Sequence, residues 1–125
     1  MIIYAPCFIP KLAPHEVYVM GSDRSFKDEV WGFRYMLDNF PDNQIFRVVI
    51  SDKADMLPIA EVKAAIRRFF AYAESKPETT FLMSKVGFLD GQYDAEELLR
   101  VYSHRPANVH VPLRILIGTL APKIQ

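Results

Sequence analysis

Apolar and polar residues along this chain switch between two periods. Val17 to Met20 (Val-Tyr-Val-Met) is a compact β-branched and aromatic run closed by Gly21, the pattern of a first core strand. From Phe26 to Phe40 the period lengthens: Val30, Phe33, Met36, Leu37 and Phe40 recur at spacings of three and four, with Lys27, Asp28, Arg34 and Asp38 between them. That spacing predicts an amphipathic helix stopped by Pro41, with Ser25 and Asp28 as a loose capping box. Ile45 to Ile50 is nearly continuous in apolar residues, as in a strand covered on both faces. After a polar loop from Ser51 to Leu57, the residues Ile59, Val62, Ile66, Phe69, Phe70 and Ala73 form one stripe. They predict a helix from Ile59 to about Ser75, with Pro58 at its start and Pro77 beyond its end.

The stretch from Thr79 to Tyr102 completes the pattern. Thr80 to Ser84 reads as a buried strand, Gly87 and Gly91 mark a loop, and Asp94 caps a helix whose first turn holds Glu96 and Glu97. Leu98, Leu99, Val101 and Tyr102 supply that helix's apolar side. Asn108 to Val111 alternates like a short strand before Pro112, and Leu113 to Leu120 reads as a further strand or an interface arm. Gly118 and Pro122 oppose a long helix there. Strands alternating with helices predict an α/β fold: a single-domain three-layer sandwich around a mostly parallel sheet. One domain then spans residues 1–125, with residues 1–16, broken by Pro6, Pro10 and Pro14, as a lead-in and 113–125 as an apolar C-terminal arm.

Composition narrows the function classes. The chain has 125 residues, half of them hydrophobic, which suffices for one core without disulfides or metals. Fifteen basic side chains balance fifteen acidic ones, so no overall field attracts nucleic acid or an anionic membrane. Any anion site is local. Cys7 is the single cysteine and has no internal partner, which fits a reducing compartment. No apolar run approaches the ~18 residues of a membrane span, and the N-terminus lacks signal-peptide features. The expectation is a soluble, cytoplasmic protein. His15, His104 and His110 are widely spaced, which predicts no metal site, and no cofactor is implied.

The candidate chemistry lies in two loops. A strand running through a glycine loop into a helix N-terminus brings free N–H groups to one sheet edge, where α/β proteins hold anions. In a parallel sheet, Gly21, Ser22, Asp23 and Arg24 would face the same crevice as Ser84, Gly87, Gly91 and Tyr93. Arg24 and Lys27 offer positive charge for a phosphate, and Trp31 and Tyr35 offer aromatic faces for a base. The alternative is structural: the glycines only supply turn geometry, and the cations are solvated. Asp23 and Asp90 would form a carboxylate pair if the loops met, the one enzymatic reading available; no catalytic residue is assigned.

Three places carry a family resemblance. Val17 to Asp23 (Val-Tyr-Val-Met-Gly-Ser-Asp) resembles the strand and Gly-Ser-Asn opening of a group of small phage and bacterial proteins. Glu61 to Gly91, above all Phe69 to Leu82, is similar to that group's helix, Pro-Glu turn and central strand. Val86-Gly87, Tyr93, Glu96-Glu97 and Asn108-Val109 with Pro112 match its later positions. The group in turn resembles macro domains, α/β modules that hold ADP-ribose and related nucleotides. The resemblance implies a macro-like fold and a nucleotide site at Gly21, Ser22, Asp23, Arg24, Ser84, Gly87, Gly91 and Tyr93. Two departures stand out: the first loop has no glycine between Arg24 and Trp31, and Gly91 precedes the family's glycine position, here Gln92.

Two functions follow as expectations. In the first, a phage or bacterial macro-like protein binds or sequesters an ADP-ribose-like or other small nucleotide without hydrolysing it. In the second, the site is degenerate and the domain is an interaction module, pairing with a host protein or with itself through the C-terminal arm.

Overall fold

The computed structural model describes residues 9–24, 34–53, 55–86, 93–112, 115, 117 and 118. Their elements are β1 (Glu16–Asp23), α1 (Arg34–Asn39), β2 (Ile45–Asp52), β3 (Asp55–Met56), α2 (Ile59–Glu74), β4 (Thr80–Met83), α3 (Ala95–Tyr102) and β5 (Val109–His110). A short 3₁₀ turn, Asp42–Gln44, leads into β2. The fold is α/β with a mixed, mostly parallel five-stranded sheet, in the order β3-β2-β1-β4-β5. β1 is parallel to β2 on one side and β4 on the other, so Val19 lies opposite both Phe46 and Met83. β5 is parallel to β4, whereas β3 is antiparallel to β2.

Strand alternation sends neighbouring residues to opposite faces and so divides the core. Val19, Val48, Phe81 and Met83 pack with Val62, Ile66 and Phe69 of α2 and with Leu98 and Val101 of α3. Tyr18, Met20, Ile45 and Leu82 pack on the other face with Ile9 and with Met36 of α1. Phe69 is the hub of the first cluster, with its ring 5.0 Å from Phe46 and 5.3 Å from Phe81. Burying such a side chain contributes roughly 1.5–3 kcal/mol.

The helices end where their sequences dictate. Asp94 caps α3 by accepting from the Glu96 N–H at 2.9 Å. α2 stops at Glu74, and the Asn108 side-chain amide donates to the carbonyls of Ala73, Lys76 and Thr79, each at 2.9 Å. One amide thereby fixes the turn from α2 into β4.

Three expectations change. β1 does not end at Gly21 but continues to Asp23, because Gly21 keeps its ladder place opposite Val48 and needs no turn. The loop Ser51 to Leu57 contains the antiparallel strand β3, turned at Lys53, whose φ is 51°. The C-terminal arm is not a strand where it is described: Ile115, Ile117 and Gly118 are helical. Ile115 enters the first core cluster, and Gly118 lies against Leu99, where an added Cβ would stand 2.9 Å from Leu99 Cδ2. The helix expected from Phe26 is described only from Arg34 onward; its first part lies outside the described residues.

Candidate functional site

From β1 the chain moves to β2 on one side, then crosses to β4 on the other. The order therefore reverses between β1 and β4. In open α/β sheets the crevice beyond the carboxyl ends at such a point is where ligands sit. Here those ends are Gly21 to Asp23 on β1 and Met83 to Val86 after β4.

Two serines are the buried polar residues of the described chain: Ser22 is 2 % exposed and Ser84 is 0 % exposed. Alternation from Tyr18 and Met20, and from Leu82, puts both on the face that carries α1. The Ser84 N–H still donates to Val19 O at 2.8 Å, which continues the sheet one residue beyond β4. Its hydroxyl has no hydrogen-bond partner among the described residues. Ser22 Oγ donates to the Asp23 carbonyl at 3.2 Å.

Beyond Ser84 the backbone bends at once. The Val86 N–H donates to Ser84 O at 2.8 Å, a three-residue turn of the kind common at strand ends. The buried Tyr102 hydroxyl donates to Val86 O at 2.8 Å and ties the turn to α3. Gly87 and Gly91, with Asp90, lie outside the described residues. Tyr93 returns the chain to the sheet by donating its hydroxyl to Leu57 O; burial raises its phenol above the ordinary tyrosine range. The positive end of α3 is already supplied with carboxylates: Asp94 caps it, and Glu97 accepts from Lys63 at 3.0 Å.

The β1 residues have structural work beside any ligand role. A Cβ at Gly21 would stand 2.8 Å from Ile50 Cδ1, so close packing explains the glycine. Asp23 accepts from Ser51 Oγ at 2.7 Å and from the Lys53 N–H at 3.2 Å, which holds the β2–β3 turn. Arg24 pairs with Asp52 at 3.1 Å, and its N–H donates to Ser51 O. That pair relieves a cross-strand clash of like charge, since Asp52 stands opposite Asp55.

The structure thus brings Gly21, Ser22, Asp23 and Arg24 to the same end of the sheet as Ser84, with Tyr93 tied to Leu57. Sequence reasoning missed Ser51, Asp52, Lys53 and Tyr102. Ser51 and Asp52 lie 28 residues from the partners they meet, so no local pattern announces them. Lys27 and Trp31 lie outside the described residues, and Tyr35 packs at the margin of the second core cluster. Among the described residues no three His, Cys, Asp or Glu side chains converge as a metal site, and no helix is long and apolar enough to cross a membrane. Comparison with protein-family models, curated proteins and solved structures found no match.

Proposed function

We propose that this chain is a macro-like, three-layer α/β protein that binds an ADP-ribose-like or other small nucleotide in the crevice between β1 and β4. It holds the nucleotide without hydrolysing it, in the manner of a sequestering protein of phage or bacterial origin. The observation that carries this reading is Ser84: a wholly buried hydroxyl, unpartnered among the described residues, at the point where the strand order reverses. An unsatisfied buried hydroxyl costs about 1–3 kcal/mol, and a ligand hydroxyl or phosphate oxygen would remove that penalty. Ser22, on the neighbouring strand and the same face, supplies a second hydroxyl. Calorimetric titration with ADP-ribose, NAD-derived cyclic nucleotides and cyclic dinucleotides tests the reading. Saturable heat with one of them is expected; no heat with any of them contradicts it.

A second reading is favoured by one observation at the C-terminal arm. Ile117 is 56 % exposed, although Ile115 beside it is buried and Gly118 is pressed onto Leu99. An apolar residue held outward on a docked segment suits pairing with a second copy of the chain. Light scattering of wild type and Ile117→Lys is the test: a dimer that becomes a monomer supports self-assembly, and a monomer in both refutes it.

A further inference from the structure

A groove of about 310 Å³ runs between α2 and the β2–β3 side of the sheet, lined by Arg24, Val49, Leu57, Glu61, Ala64 and Arg68. Its size is at the lower end of small-ligand sites. Leu57 and Ala64 give it aliphatic surface. Its charged groups are arranged unevenly. Arg24 gives one guanidinium nitrogen to Asp52 at 3.1 Å, which fixes the side chain while leaving its other N–H groups available. Glu61 and Arg68 are both exposed, and neither side chain has an ion pair or hydrogen bond among the described residues. They are seven positions apart on α2, about 10 Å along the helix axis, which is too far for them to pair with each other.

A free carboxylate and a free guanidinium facing one groove match a ligand with both kinds of group. A phosphate or other polyanion alone would meet Glu61 and gain little, because Arg24 with Asp52 and Arg68 with Glu61 sum to no net charge. A ligand with an anionic group at one end, amino N–H donors at the other and a flat apolar body between them satisfies all three parts. Arginine forks suit phosphate, a carboxylate suits the amino edge of a base, and aliphatic side chains suit the face of its ring.

We propose that the groove bounded by Arg24, Glu61 and Arg68 is a separate binding site for a nucleoside monophosphate with an amino-bearing base. The phosphate takes Arg68 and the unused donors of Arg24, and the amino edge of the base takes Glu61. This site is distinct from the β1–β4 crevice and does not depend on Ser84.

The test is calorimetric titration of the full chain with adenosine monophosphate, adenosine and inorganic phosphate. Wild type is compared with Arg68→Ala, Glu61→Ala and Ser84→Ala. The exposed Arg68 and Glu61 side chains make no hydrogen bond or ion pair among the described residues, so unchanged circular dichroism is expected in both. Arg68→Ala weakens the monophosphate about tenfold and leaves adenosine unchanged, the loss of one charge-assisted contact. Glu61→Ala weakens the monophosphate and adenosine alike, and Ser84→Ala weakens neither. Absence of binding to wild type overturns the proposal. So does a monophosphate affinity that is the same in wild type and Arg68→Ala, or one that falls only in Ser84→Ala, which would place the ligand in the crevice instead.

Discussion

Ser84 is a residue whose two roles pull in opposite directions. For stability of the ligand-free chain its hydroxyl is a burden, so Ser84→Ala is expected to raise the unfolding free energy by about 1 kcal/mol in urea titration. The same substitution should weaken nucleotide binding at the crevice about ten- to hundredfold. A hydroxyl that served only the fold would behave differently, with stability falling on removal. Gly21 is the converse case, small because of packing. Gly21→Ala should destabilise by about 1 kcal/mol, the low end of overpacking costs, because the Ile50 Cδ1 it meets is the far end of a side chain that can turn away. Ile50→Val removes the Cδ1 methyl that the new Cβ would meet. The double variant should therefore recover most of the loss, and denaturation of all four members of the cycle measures the coupling. Lys53 carries a positive φ of 51°. Lys53→Val should cost at least about 1 kcal/mol relative to Lys53→Gly, because a β-branched side chain fits that region poorly.

At the scale of elements, periodicity carried the reading furthest where one face is packed against the sheet. α2 was legible because Val62, Ile66, Phe69, Phe70 and Ala73 are all buried at helical spacing, and α3 because Asp94 announces its cap. β3 was not legible. Two residues that follow a turn at Lys53, itself held by Asp23 30 positions earlier, have no pattern of their own. The end of β1 was misjudged for a related reason: Gly21 reads as a turn residue, yet its smallness answers to Ile50 on the next strand. The site was partly legible. Ser84 lies at the end of β4, where the pattern put it, but Ser22 and Asp23, expected in a turn after Gly21, belong to β1, and the partners of Asp23 and Arg24 are long-range. Tyr102 shows how an element positions the site, since its hydroxyl joins α3 to the backbone just after Ser84. Tyr102→Phe leaves the buried Val86 carbonyl without that donor and should cost about 1–3 kcal/mol in denaturant titration.

Across the whole molecule, the central position of β1 makes one sheet edge common to both proposed sites, with Arg24 at the boundary between them. pH acts through a different part of the fold. His110 on β5 is partly buried, and burial together with nearby positive charge, Arg105 included, holds its pKa below the usual histidine value against the opposing effect of Glu16. The unfolded chain therefore takes up a proton that the folded chain resists. The stability that His110 contributes is present above about pH 6.5 and is lost as pH falls through the lower, folded value. Urea midpoints should drop between pH 7.5 and pH 5.5, and the drop should be smaller in His110→Gln. Nucleotide binding in the crevice is tested by a crystal structure of the chain grown with ADP-ribose. The expected result is ligand density within hydrogen-bond distance of Ser84 Oγ and beside Ser22, at the carboxyl ends of β1 and β4. A crevice without density at saturating ligand would contradict it, whether or not density appears in the groove between Arg24, Glu61 and Arg68.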